Sequence, residues 1–166
     1  MSDSIDFWDW AVAAYARPGV AELCLDLQDA HGQNVPLLLW AVWAGESGRR
    51  VDAAQAVATA RAWQEVIAPL RDVRRRLKTT VTEGDDAQRL AVREQVKGVE
   101  LSAEKALMTL LESQSPPATL DVVALSVIPG ARNAVVLDGV LAVATAWNPD
   151  APLDRLAQLS ARLLEG

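Results

Sequence analysis

Residues 34–43 read Asn34-Val35-Pro36-Leu37-Leu38-Leu39-Trp40-Ala41-Val42-Trp43. Asparagine is a preferred N-cap, and proline is welcome in a first helical turn. Apolar residues then follow without a break. A helix with no polar face is hidden on every side. This segment therefore predicts a buried central helix around which the other elements must close. Glu46-Ser47-Gly48 ends it.

Upstream, a first helix is expected from about Ile5 to Ala16, capped by Ser4, with Asp6 and Asp9 where the helix dipole favours acids. Ile5, Trp8, Val12 and Tyr15 form one apolar stripe, and Phe7, Trp10, Ala11 and Ala14 another, so this helix is expected to be buried on two sides. Arg17-Pro18-Gly19 interrupts the chain. A second helix follows to about His31, with Val20, Leu23, Cys24 and Leu27 on one face, and Gly32 stops it.

Downstream, Asp52 caps a helix that reaches about Lys78. Ala56, Ala60, Trp63, Ile67, Leu70 and Leu77 form its seam, broken at Arg74, and Pro69 should kink it. A turn near Gly84 leads into a helix from about Asp86 to Gln114, for which Val92, Val96, Val99, Ala103, Ala106 and Leu110 are the expected seam. The two make a long antiparallel hairpin. Ser115-Pro116-Pro117 reads as a linker. Residues 120–128 suit a strand or a short buried helix. Helix is preferred, because a lone strand has no partner. A buried helix over Ala131–Trp147 is stopped by Asn148-Pro149. Pro152 opens a last helix with Leu153, Leu156, Ser160 and Leu163 on one face. The fold class is all-α, a bundle of six to seven helices. The whole chain, 1–166, reads as one helical domain. Its core helices lie in 1–50, the hairpin in 52–114 and the C-terminal helices in 118–166.

Composition agrees. The chain has 166 residues, long enough for one core without metal or disulfide staples. Its six Trp stand against one Phe and one Tyr, so tryptophan carries the aromatic packing. Cys24 is the single cysteine, which suits a reducing compartment. The N-terminus has acids where a signal peptide has a basic region. The longest apolar run, Ala134 to Trp147, is broken by Asp138 and Gly139 and is too short for a membrane span. A cytoplasmic protein is expected.

The net charge is −6, unevenly spread. Asp3, Asp6, Asp9, Glu22, Asp26 and Asp29 face only Arg17 in the first 34 residues. Arg71, Arg74, Arg75, Arg76 and Lys78 make a basic stripe. Nucleic-acid binders carry a basic balance over the whole domain, which argues against that class. The stripe suits an acidic protein partner or internal ion pairs with the N-terminal acids. Arg74, standing in the seam, calls for a buried or interface ion pair.

Candidate chemistry is sparse. Asp6, Asp9, Glu22, Asp26 and Asp29 offer carboxylates at i, i+3 and i+4, which could hold a divalent cation for hydrolysis of a nucleotide or phosphate compound. The same residues also read as a helix start and a solvated helix face. Cys24 and His31, seven residues apart on one helix, are separated by roughly 10 Å, too far for a catalytic pair. Trp8 and Trp10 point to different sides of the first helix, which leaves one of them as a surface anchor. No catalytic residue, metal ligand set or cofactor is assigned.

Phe7-Trp8-Asp9-Trp10, Tyr15, Pro18-Gly19-Val20, Cys24 to Asp29, Gly32, Asn34-Val35 and Leu37 to Trp43 together resemble a bacterial family known as domain of unknown function 2390. The resemblance covers the N-terminal third. Pro36 stands where a polar residue is expected. No activity is implied, but the resemblance draws attention to Gln28, Asp29 and Asn34, polar residues set among core positions at one helix–helix corner. The leading expectation is a non-enzymatic protein that binds another protein through Arg71, Arg74, Arg75, Arg76, Lys78, Trp8 and Trp10; a homo-oligomer is also open. The alternatives are the metal-dependent hydrolase and a small-molecule binder with its pocket between the first three helices and the hairpin.

Overall fold

A computed structural model of the chain describes residues 6–79, 86–117 and 130–165. The described residues form seven helices and no strands. They are α1 (Phe7–Tyr15), α2 (Val20–Asp29), α3 (Val35–Glu46), α4 (Ala53–Arg76), α5 (Asp86–Ser113), α6 (Ala131–Trp147) and α7 (Leu153–Leu164). The expected helix over 120–128 and the Ser4 cap lie outside the described residues.

The centre is α3, where every residue from Val35 to Ala44 is buried. Asn34 caps it as expected, its side chain accepting from the Leu37 N–H at 3.0 Å. α1, α2, α4, α5 and α6 all pack on α3, and α7 closes the far side against α2 and α6. Trp40 and Trp43 are each 1% exposed. Burying a tryptophan contributes roughly 4–6 kcal/mol of transfer free energy. The Trp43 ring lies 5.3 Å from Phe7 of α1. The Trp40 indole donates to Ser115 Oγ at 2.7 Å and to the Leu111 carbonyl at 3.1 Å, tying the end of α5 to the central helix.

Ser115-Pro116-Pro117 is thus no loose linker. Ser115 is buried, its carbonyl accepts from Arg49 at 2.8 Å, and the Arg50 N–H donates to the Pro116 carbonyl at 3.0 Å. Polar groups brought into the core by Trp40 need such partners.

α4 and α5 form the antiparallel hairpin. Thr59 meets Gln114 at one end, and Arg89 of α5 donates to the Leu77 carbonyl at the other. Asp52 caps α4 as expected, and the helix continues through Pro69. The expected seam of α5 is corrected. Ala103 is buried as expected, but Val92, Val99 and Leu110 are exposed, and Glu100, Leu107, Met108 and Leu111 face inward in their place. The cause is Glu100, 6% exposed. It accepts from Arg74 and, at 3.1 Å, from Arg71; Arg71 also reaches Glu104 at 2.9 Å. The seam runs through a carboxylate because two arginines on α4 meet it there. This is the ion pair that Arg74 in the seam called for.

Burial pushes the Glu100 carboxyl up, but the hydrogen bonds and charges of Arg74 and Arg71 outweigh it, and its pKa lies below the ordinary carboxylate value. At Glu104 burial wins and the pKa is raised. A lowered folded-state value stabilises the fold above the ordinary carboxylate pKa and is lost as pH falls through it. Glu104 acts oppositely, its contribution fading as pH rises through the raised value.

Two further expectations are corrected. The stripe of α1 that carries Val12 and Tyr15 is not buried: both are exposed, because Phe7, Ala11 and Ala14 of the other stripe already satisfy the contact with the core. Leu153, at the first position of α7, is exposed, whereas Leu156, Leu159, Ser160 and Leu163 are buried.

At Gly45 a Cβ would stand 2.8 Å from Val136 Cγ2 and 3.2 Å from Val136 Cα on α6. Glycine there sets how closely α3 and α6 approach. Gly98, on α5, has open space around it. Gly45→Ala is therefore expected to destabilise by about 1–2 kcal/mol through overpacking. Gly98→Ala is expected to stabilise by about 0.5–1 kcal/mol through helix propensity. Chemical denaturation of both variants tests this; equal effects of one sign would refute the close approach. Glu100→Gln, which strands Arg74, is expected to cost about 3 kcal/mol near neutral pH. It should also flatten the loss of stability on acidification. Urea midpoints of wild type and variant at about pH 7 and about pH 3 measure both effects. Parallel pH profiles would show that Glu100 does not carry the acid sensitivity.

Candidate functional site

The corner between α2 and α3 is built from its backbone outward. α2 ends at Asp29, and Gly32 takes φ +61°, a left-handed conformation that glycine adopts without strain. The Gln33 N–H then returns to the Leu27 carbonyl at 2.9 Å, and Asn34 caps α3. Because α3 plunges into the core, the polar residues just before it go with it. Gln33 is 3% exposed and Asn34 6%.

The two amides fare differently. Asn34 is satisfied at both ends, accepting from Leu37 and donating to Gln64 Oε1 at 3.4 Å. The Gln33 carboxamide has no hydrogen-bond partner at either atom among the described residues. It lines a polar pocket of about 470 Å³. Gln28 and Asp29 of α2, Gln64, Arg71 and Arg75 of α4, and Trp147 at the end of α6 complete the main walls. Trp147 is placed by its indole N–H, which donates to the Gly32 carbonyl at 2.9 Å, and by Arg61, whose guanidinium lies 4.8 Å from its ring centre. Asp72 of α4 is exposed in the same wall, while the arginine charges are met internally. Arg75 pairs with Asp29, and Arg71 with Glu100 and Glu104.

Behind Gln28 lies a second concavity, an apolar groove of about 500 Å³ between α1, α2, α3 and α5. Its floor is Ala11, Cys24, Leu39 and Met108, and its edges are Val12, Tyr15, Leu25 and Leu101. Trp8 forms one end, with the Lys105 ammonium 5.0 Å from its ring centre. Burial first, then the negative charges of Glu104, Asp29 and Glu22 together with Cys24, hold the Tyr15 phenol above its ordinary pKa. A small cavity between pocket and groove is lined by Gln33, Asn34, Gln64, Arg71 and Glu104.

The arginine stripe is thus divided. Arg71 and Arg75 line the polar pocket, and Arg74 is held in the hairpin. Arg76 and Lys78 are exposed at the end of α4. Trp8 and Trp10 do face different ways, but both are half-buried, and Trp10 donates to Glu46 at 3.0 Å. Gln28, Asp29 and Asn34 come together as one corner.

The carboxylates Asp6, Asp9, Glu22, Asp26 and Asp29 do not gather. Asp6 is the cap of α1, accepting from the Asp9 N–H at 2.8 Å. Asp26 stands 3.6 Å from Arg155 and 3.9 Å from His31, and Asp29 faces Arg75. Among the described residues no three His, Cys, Asp or Glu side chains are grouped so as to hold a metal ion. Burial pushes the Cys24 thiol up to about 12, so it is protonated at neutral pH and is no nucleophile.

Gln33, Gln64 and Trp147 were not legible as site residues. A glutamine between a glycine stop and a helix cap reads as an exposed turn, and only the tertiary course of α3 buries it. Leu25 and Leu101 carry a usable signal, since each is a large apolar residue off the buried face of its helix.

No helix among the described residues is long and apolar enough to cross a membrane. No curated protein and no solved structure matches the chain. The family model described as protein of unknown function DUF2390 matches residues 6–111. The match therefore extends beyond the N-terminal third, through α1–α4 and most of α5, and takes in the groove and nearly all of the polar corner. The chain belongs to the DUF2390 family.

Proposed function

We propose that the chain is a non-enzymatic binding protein that receives an amphipathic helix of a protein partner in the groove between α1, α2 and α5. One observation carries this. Val12, Leu25 and Leu101 are 55%, 49% and 48% exposed along the edges of a single apolar trough. Large apolar side chains clustered in this way mark interaction surfaces. A drug-sized ligand is usually buried over most of its surface, and a trough with half-exposed walls is too open for that. A helix laid along it would cover both edges at once, with apolar residues at 3-4 spacing entering the floor.

The acids around the groove favour a partner of matching charge. Glu22, Asp29 and Glu104 all act on Tyr15. Asp29 and Glu104 already have arginine partners, which leaves the exposed Glu22 as the acid that a lysine or arginine flanking the apolar face would meet. The arginine stripe is a weaker docking surface, because Arg71, Arg74 and Arg75 already have carboxylate partners. A cytoplasmic adaptor or regulatory role is part of the same proposal; Cys24 is a free, buried thiol, which suits a reducing compartment.

A photo-crosslinking residue at Leu101, with one at Asp154 on α7 as control, tests the proposal in the native host. The expected product joins Leu101 to a partner segment with helical apolar spacing and flanking Lys or Arg. Leu25→Asp combined with Leu101→Asp should weaken capture by about tenfold or more while circular dichroism and melting stay unchanged. Capture that survives the double substitution, or a product joining two copies of this chain, would overturn it.

A further inference from the structure

The geometry points to a second, separate binding site in the polar pocket, for a small neutral molecule that presents a lactam or carboxamide edge. The central observation is Gln33. Its side chain is 3% exposed, and both its amide oxygen and its amide nitrogen lack a partner among the described residues. A buried polar group left unpaired bears the full cost of its desolvation, and buried polar groups in native structures are nearly always satisfied. Neighbours could have supplied a partner and do not. Asn34 is paired with Gln64, and Gln28 donates to Asp29.

The chemistry of the missing partner follows from what Gln33 offers. A carboxamide presents one donor beside one acceptor. Its complement is a group with an acceptor beside a donor, which is the edge of a lactam, a primary amide or a nucleobase. The walls disfavour an anionic ligand, because Arg75 and Arg71 are already matched by Asp29, Glu100 and Glu104, and Asp72, exposed in the same wall, adds a further negative charge. Trp147 adds an aromatic wall, held against the Gly32 carbonyl next to Gln33. The volume, about 470 Å³, is in the range of small-molecule sites. This site does not depend on the groove, since the two concavities share only Gln28.

Isothermal titration and saturation-transfer NMR on the full chain test it, with uridine, inosine, nicotinamide and free glutamine as probes. The first two represent cyclic lactams and the last two open amides, so the pattern of binding distinguishes the sources. N3-methyluridine, which keeps the ring but lacks the donor, is the control. At least one probe is expected to bind saturably, and uridine, if it binds, should lose about tenfold or more on N3-methylation. Gln33→Leu should abolish binding without loss of stability, since an apolar replacement removes an unpaired amide. If that variant misfolds, Gln33→Met gives the same comparison. Failure of all four probes up to about 5 mM would overturn the proposal and leave the chamber as a hydration site. So would equal binding by a folded Gln33 variant, or equal affinity for uridine and its N3-methyl derivative.

Discussion

The complete burial of Val35 to Ala44 is the constraint from which the rest of the structure follows. A helix with no polar face cannot lie at a surface. Five other helices must therefore contact α3, and α7 must close the remaining gap. Each of those helices gives its best apolar stripe to that task. α1 gives Phe7, Ala11 and Ala14, α2 gives Leu23, Cys24 and Leu27, and α5 gives Leu107, Met108 and Leu111. What these helices carry on their flanks has no place left in the core. The groove is the outcome of that surplus, because Val12, Leu25 and Leu101 lie just outside the faces that α3 recruits.

The hairpin obeys a second rule. Apolar packing alone is tolerant of a helix rotating on its neighbour, but Glu100 meets Arg71 and Arg74 at one rotation only. Breaking such a half-buried cluster is costly because it leaves a charge uncompensated. The cluster is thus better described as setting the register of α5 than as adding to net stability. It also matches the charge of Arg71, which lines the polar pocket, so that this arginine is not offered there as a free cation.

The fold was largely legible because its signals are local. The caps at Asn34 and Asp52, the stop at Gly32 and the 3-4 spacing of α2 depend on residues within a turn or two of each other. The helix faces were less so. In α5 the valines at 92 and 99 and Leu110 made a plausible seam, and nothing local shows that a glutamate displaces them; that requires knowing that Arg71 and Arg74 stand opposite. The site was least legible of all. Asn34 could be read as a cap, but Gln33 acquires its meaning from burial by segments distant in sequence, above all Trp147, whose indole reaches Gly32 across the fold.

A sequence specifies a structure when propensity, packing and polar satisfaction agree, and departures from that agreement collect at sites that serve something other than folding. Two departures stand out here. An apolar substitution at Gln33 would cost the fold little, since the amide satisfies nothing. Polar residues at Leu25 and Leu101 would cost little as well, since half of each side chain is already in water. Both departures border the ten residues of α2, with Gln28 in the wall of each concavity. The buried face of α2 is otherwise apolar, and Asp26, whose Oδ2 accepts no hydrogen bond among the described residues, stands 3.6 Å from Arg155. Exposed apolar side chains also occur elsewhere, at Val66 and Val73 of α4 and at Val92, Val99 and Leu110 of α5. What sets Val12, Leu25 and Leu101 apart is that they rim one concavity, whereas Arg71, Arg74 and Arg75 already have carboxylate partners, which is why the proposed binding surfaces lie on this side of the molecule.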